Sequence, residues 1–116
     1  MVFRSSHANL PWLKQVVESH DGIAFRSWTS SFYSEAYYHG VDKGSALAYL
    51  KKKLGFEKDD VYAFGDSLND LGMLEEAGHP YAVLHGKSSL LSSKFPTTKK
   101  GNDHDGVALM LAELFL

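Results

Sequence analysis

The sequence predicts an α/β fold in which a parallel sheet is flanked by helices and preceded by a small α+β segment. From Gly40 onward, helical and strand-like segments alternate, which is typical of parallel strands joined by helices. Residues 61–64 form a short, continuously apolar run, as expected of a strand that is buried on both faces. Residues 1–39 instead indicate one helix followed by two strands. We therefore predict two domains, residues 1–39 and residues 40–116.

The first domain carries the signals of a helix and two strands. Asn9 is a candidate N-cap, and Pro11 lies in the first turn, where proline is favoured. Apolar residues then recur at helical spacing, at Leu10, Leu13, Val16 and Val17. Gly22 follows as a stop signal. We predict strands at residues 23–28 and 32–39, joined by a turn.

The second domain alternates between helices and strands. A helix is predicted over residues 43–54, with Gly55 as its C-cap. Its apolar face is formed by Ala46, Leu47, Leu50 and Leu54. The elements predicted after it are a strand at 61–64, a helix at 69–77, a strand at 81–84, a helical turn at 90–91, an edge strand at 95–97 and a helix at 107–116. We expect Asp103 or Asp105 to cap the last helix.

The composition excludes several classes of protein. The 116 residues carry a formal net charge of -2 with no long run of like charge, so we expect no nucleic-acid partner. Because there is no cysteine, disulfides, thiolate metal sites and a cysteine nucleophile are excluded. No apolar stretch approaches the roughly 20 residues that cross a bilayer, and the N-terminus lacks the layout of a signal peptide. We therefore expect a cytoplasmic protein without a membrane partner.

Residues 64–70, Phe-Gly-Asp-Ser-Leu-Asn-Asp, form the segment with the strongest chemical character. They follow the predicted buried strand, and ligands of parallel sheets bind beyond the carboxyl ends of the strands. Asp66 lies at the strand end and Asp70 about one helical turn later, so both can face one point. Oxygen ligands of this kind suit Mg²⁺. The alternative is an acidic turn that only complements the dipole of the following helix.

Lys43 opens the preceding helix, which is the electrostatically unfavourable end for a cation unless an anion lies nearby. Lys43-Gly44 followed by the Gly-Asp-x-x-Asn-Asp pattern of residues 65–70 resembles the Cof-type branch of the haloacid-dehalogenase-like hydrolases. The resemblance covers residues 40–116 and includes an Asp-Gly-Val triplet before the last helix. Residues 1–39 resemble, less closely, the last helix and strands of that family's cap domain.

The resemblance implies a partial Rossmann-like core and a Mg²⁺-dependent phosphatase acting on small phosphorylated metabolites. It implies that Asp66 ligates the metal, and that Asp70 either ligates it or holds Lys43 or a metal-bound water. Lys43 would steady the nucleophile and the phosphoryl oxygens, and Asn69 would form hydrogen bonds around the site. These roles suit phosphoryl transfer, which depends on positioning and charge stabilisation.

The family's nucleophile, by the same resemblance, comes from an Asp-x-Asp-Gly-Thr motif at the end of a first strand. Residues 103–107, Asp-His-Asp-Gly-Val, share part of this pattern, but a polar segment precedes them and a predicted helix follows. Trp28-Thr29-Ser30 is an equally weak candidate for the family's Ser/Thr motif. The chain therefore resembles the C-terminal portion only, and we expect it to be inactive alone and to bind Mg²⁺ weakly. Residues 84–87, Leu-His-Gly-Lys, also depart from the Gly-Asn-Ala that is common in the family.

Without a first strand, the strand at residues 61–64 would have an open apolar edge, and such edges pair with other chains. We therefore expect a homo-oligomer or a partner chain that covers this edge. Two hypotheses stay open: the C-terminal part of a phosphatase, and a non-catalytic remnant that binds a protein or an anion. A weaker third is an active homo-oligomer in which Asp105 serves as the nucleophile.

Overall fold

Residues 1–28 and 32–116 are described in the computed structural model, and the chain divides after Val41 into the units Met1–Val41 and Asp42–Leu116. The predicted turn at residues 29–31 lies outside the described residues. The elements of the first unit are β1 (Val2–Arg4), α1 (Leu10–Glu18), β2 (Ile23–Ser27) and β3 (Tyr33–Tyr38). The three strands form an antiparallel sheet in the order β1-β3-β2. Helix α1 packs against β2 and buries Val17.

Strand β1 was not predicted from the sequence. It has only 3 residues, so it is too short to show an alternating pattern of its own. It is held by its pairing with β3. The Met1 ammonium donates to the Ala36 carbonyl at 2.7 Å, and the Ala36 amide donates back to the Met1 carbonyl at 2.8 Å. The strand therefore depends on a partner that is distant in sequence, which a local pattern cannot show.

The second unit is the α/β segment that the sequence predicts. Its elements are α2 (Lys43–Leu54), β4 (Tyr62–Gly65), α3 (Leu71–Glu76), β5 (His79–Ala82), α4 (Ser89–Lys94) and α5 (Gly106–Phe115). Strands β4 and β5 are parallel, and Ala82 forms a further parallel bridge to Thr97. The predicted edge strand at residues 95–97 is thus a single bridge. The core consists of small and branched apolar residues, namely Ala63, Leu74, Ala77, Ala82 and Leu91.

Strand β5 begins and ends two residues earlier than the predicted strand at 81–84, and it contains Pro80. The amides of His79 and Val83 donate to the carbonyls of Val61 and Gly65, at 3.0 and 2.8 Å. The intervening proline lies at a position whose amide would face away from β4. Because that strand pairing needs no donor from Pro80, the residue does not break the strand.

Two helix starts also differ from the prediction. The predicted helix at 69–77 begins as a 3-10 turn, Leu68–Asp70, and continues as α3. Asp105 occupies the N-cap position of α5, but its side chain makes no capping hydrogen bond, and its φ of 54° is left-handed. Neither difference moves the order of the elements.

The predicted apolar face of α2 is only partly covered. Leu47 packs against the core, whereas Leu50 and Leu54 are 47% and 58% exposed. Strand β4 is likewise paired on one side only, because β5 is its sole strand partner among residues 1–28 and 32–116. The second unit therefore presents an apolar helix face and an open strand edge to its surroundings.

Helices α2 and α3 come into close contact at two glycines, Gly44 and Gly72. A Cβ added to Gly44 would lie 2.6 Å from the carbonyl carbon of Gly72, which is closer than any real contact. A Cβ added to Gly72 would lie 3.4 Å from the nearest Asp42 oxygen, an ordinary contact distance. The close approach therefore requires glycine on α2 but not on α3. It sets how near Lys43 comes to the turn that precedes α3.

We expect Gly44→Ala to destabilise the chain by about 1–3 kcal/mol, because the helices must separate to admit the methyl group. Gly72→Ala is the matched control, since it adds the same methyl group at the same contact. It should be neutral or stabilising by up to about 1 kcal/mol through higher helix propensity. Urea unfolding of both variants measures the difference. Equal stability of the two variants would contradict the assigned helix contact.

Candidate active site

The carboxyl end of β4 leads into a tight turn that carries two carboxylates. Gly65 ends the strand, Asp66 and Ser67 follow, and Asp70 closes the 3-10 turn. A Cβ on Gly65 would lie 2.5 Å from the Cβ of Asp70. Only glycine at this position lets the turn fold back onto the strand end. The glycine of the Gly-Asp pair is thus required by the position of Asp70.

Asp70 is buried, with a side chain that is 5% exposed, and both of its carboxylate oxygens have partners. Oδ2 accepts hydrogen bonds from the backbone amides of Asp66 at 3.0 Å and Ser67 at 3.1 Å. Oδ1 forms an ion pair with Lys43. Burial acts to raise the pKa of Asp70, but the Lys43 ammonium and the two amides together outweigh it, so the pKa lies below its ordinary value. At neutral pH the side chain is therefore an ionised, fixed acceptor.

Lys43 is positioned by the start of α2. Asp42 and Ser45 form a reciprocal capping box, in which the Ser45 amide donates to Asp42 Oδ1 at 2.8 Å and the Asp42 amide donates to Ser45 Oγ at 2.9 Å. Lys43 is the first residue of the helix that this box fixes. Its side chain is 51% exposed although its ammonium contacts Asp70. Lys43 can therefore meet a second anion from the solvent side.

Asp66 differs from Asp70 in the partners of its carboxylate. No described residue forms a hydrogen bond or ion pair with this carboxylate, while the Asp66 carbonyl accepts a bond from the Ser88 amide at 3.2 Å. Asn69 accepts a hydrogen bond from the Ser67 hydroxyl. The structure thus brings Lys43 and Asp70 into contact and places Asp66 and Asn69 on the same turn.

Two parts of this neighbourhood were missed by the sequence reasoning. The Ser67 hydroxyl and amide bond to Asn69 and Asp70, and the loop after β5 packs on Asp66. A Cβ on Gly86 would lie 2.8 Å from the Asp66 carbonyl oxygen. The available signal was topological, because loops that follow neighbouring parallel strands meet at one edge of the sheet.

The candidate nucleophile and the candidate Ser/Thr motif are not part of this turn as the structure describes it. Asp105 follows a 3-10 turn, Asn102–His104, and precedes α5, so it is not at a strand end. Thr29 and Ser30 lie outside the described residues.

Two features of the described residues bear on membrane and metal binding. Within residues 1–28 and 32–116, no helix has the length and apolarity needed to cross a membrane. The same part of the chain contains no group of three or more His, Cys, Asp or Glu side chains arranged to hold a metal ion. A cation at Asp66 would therefore have few protein ligands from the described part of the chain, which is a pattern that Mg²⁺ accepts because it retains several waters.

Comparison with known proteins identifies a family that matches most of the chain. A family model described as haloacid dehalogenase-like hydrolase matches residues 2–111. The 5-amino-6-(5-phospho-D-ribitylamino)uracil phosphatase YwtE of Bacillus subtilis is 43% identical over 72 residues, which cover 62% of this chain and 25% of that protein. A phosphoglycolate phosphatase of Methanoculleus marisnigri is 32% identical over 88 residues, which cover 76% of this chain and 37% of that protein.

Solved structures agree on the fold. A haloacid dehalogenase-like hydrolase from Bacteroides thetaiotaomicron superposes with a TM-score of 0.85 at 23% identity, covering 98% of this chain and 43% of that one. The chain therefore spans less than half the length of these relatives, and it corresponds to a fragment of them. Since the family model matches nearly the whole sequence, the chain belongs to the haloacid dehalogenase-like hydrolases, and its relatives include phosphatases.

Proposed function

We propose that the chain is the C-terminal part of a Mg²⁺-dependent phosphatase that acts on small phosphorylated metabolites. One observation carries the proposal: the half-exposed Lys43 forms an ion pair with the buried Asp70, and Asp66, whose carboxylate has no partner among the described residues, lies on the same turn at the carboxyl end of β4. The two named relatives act on different small phosphate esters, as their names state. They support the reaction class. Because their substrates differ, they do not define the substrate of this chain.

In this proposal each residue has a separate task. Lys43 places a positive charge where the phosphoryl group and the nucleophile carry negative charge. Asp70 acts through Lys43, because its oxygens already accept bonds from the ammonium and from two amides. The Asn69 amide donates hydrogen bonds around the site. Since the ion pair is formed in advance, little reorganisation is needed when a phosphate arrives.

Asp66 is the residue that would hold the metal. Its carboxylate has no partner among the described residues, so its oxygens are available to bind a metal ion. When bound, Mg²⁺ supplies positive charge that stabilises the phosphoryl oxygens in the transition state. With one or two carboxylates, the isolated chain should bind the metal weakly, and further ligands would come from the segment that carries the nucleophile.

The nucleophile is expected to come from outside these 116 residues, as the rest of a longer chain or as a separate subunit. The test is gain of activity. Fusing this chain behind the N-terminal part of the Bacillus subtilis relative should give Mg²⁺-dependent hydrolysis of an aryl phosphate. The chain alone should give none. A fusion protein that folds but has no activity would count against the proposed function.

The open edge of β4 and the exposed face of α2 support a further proposal, that the isolated chain binds a second copy of itself or a partner chain. We expect light scattering to show an apparent molecular mass of the chain that rises with protein concentration. Leu54→Glu should reduce this association, whereas Lys52→Glu, on the same helix and exposed, should not. A monomer at all concentrations would contradict it. The alternative of a non-catalytic binding remnant shares this surface, and it predicts association without any gain of activity in the fusion.

A further inference from the structure

The loop between β5 and α4 is held by hydrogen bonds at both of its ends, and its second end contacts the candidate site. At one end the Leu84 amide donates to the buried Thr98 hydroxyl at 3.0 Å. At the other end the Ser88 amide donates to the Asp66 carbonyl at 3.2 Å, and the Gly86 amide donates to the Val83 carbonyl at 2.9 Å. The backbone of this loop is therefore held at a defined place beside Asp66.

Lys87 lies on this loop, next to the residue whose amide contacts Asp66, and its side chain is exposed. No carboxylate among the described residues pairs with it. Several other lysines of this unit do have acidic partners, namely Lys43, Lys51, Lys94 and Lys99. Lys87 thus has no acidic partner among the described residues, and it belongs to the loop whose backbone contacts Asp66.

We propose that Lys87 is a specificity residue that favours phosphate esters with a second anionic group, such as a carboxylate, a few bonds from the phosphorus. The inference rests on the proposed function, in which Lys43 and the metal at Asp66 hold the phosphate. The second anion then lies at the edge of the site, where the charge of Lys87 attracts it. Uncharged groups at that position gain nothing from the lysine.

Two ligands of matched skeleton test this inference: 3-phosphoglycerate, which has a carboxylate, and glycerol 3-phosphate, which has none. Backbone amide shifts of the full chain are followed by NMR in the presence of Mg²⁺ at low ionic strength. We expect 3-phosphoglycerate to bind about two- to fivefold more tightly, as an exposed charge pair allows. In Lys87→Met the two affinities should become equal, and Lys87→Arg should retain the difference. Lys52→Met removes an exposed lysine on α2 and should also retain it.

The outcomes separate the two proposals. If both ligands shift the amides of residues 66–70 but Lys87→Met leaves their affinity ratio unchanged, the role of Lys87 is overturned and the phosphate site stands. Equal affinities in the unsubstituted chain overturn it as well. If neither ligand shifts these amides, the proposed phosphate site is wrong, and the proposed role of Lys87 is wrong as well.

Discussion

In the fusion protein, Asp66→Asn is expected to lower kcat/KM for an aryl phosphate by at least about 100-fold, the size of effect seen when one electrostatic contact of a transition state is removed. The amide keeps the shape of the side chain but loses its negative charge, so it is a much poorer ligand for Mg²⁺. Because the Asp66 carboxylate makes no hydrogen bond in the described part of the chain, its replacement should leave the fold intact. Initial rates at several Mg²⁺ concentrations measure the loss.

Asp105→Asn is the matched control for this experiment. Asp105 is exposed, and its side chain makes no capping bond at α5. We expect this variant to keep the activity of the parent fusion protein. Loss of activity in Asp105→Asn with full activity in Asp66→Asn would reverse the assignment, and it would support Asp105 as the nucleophile.

Asp70→Ala is expected to destabilise the full chain by about 2–4 kcal/mol, because buried polar groups are left without partners. The amides of Asp66 and Ser67 would lose their acceptor, and the Lys43 ammonium would lose its carboxylate. Lys43 is half-exposed and can turn to water, so most of the loss should come from the two amides. Urea unfolding at neutral pH gives the change in free energy.

Asp70→Asn separates the two contributions. Its side-chain oxygen can still accept from both amides, so we expect a loss of only about 1 kcal/mol from the ion pair. Asp103→Ala, at an exposed carboxylate, should stay within about 0.5 kcal/mol of the parent. If Asp70→Asn were as unstable as Asp70→Ala, the ion pair rather than the amide bonds would hold the turn.

The order of the elements that follow β1 could be predicted because most of them carry a local signal of their own. Helix α2 has a capping box at its start and a left-handed Gly55 at its end, and it occupies the predicted residues. Strand β4 is apolar throughout its first three residues. The register of β5 and the existence of β1 depend on partners that are distant in the chain. Strand β5 contains a proline and β1 has only 3 residues, so neither strand shows a clear pattern in the local sequence.

The candidate site was predictable to the level of residue types and no further. The misplaced charge of Lys43 at a helix start indicated a nearby anion, and the structure supplies Asp70. Spacing alone could not show that both Asp70 oxygens accept hydrogen bonds within the protein, while the Asp66 carboxylate has no partner among the described residues. That difference arises from the tight packing at Gly65, which turns one carboxylate inward. It is a property of the folded turn, not of the motif.

The capping box of α2, the glycine contact with α3 and the Lys43–Asp70 pair all join groups within residues 42–72. Such short-range closure loses little chain entropy, so this half of the site can form early, before a distant strand arrives. A fragment with these properties is suited to split-enzyme reassembly. The part of the site that this fragment supplies is ordered before association. The appearance of activity would then report that the fragment has bound the part that carries the nucleophile.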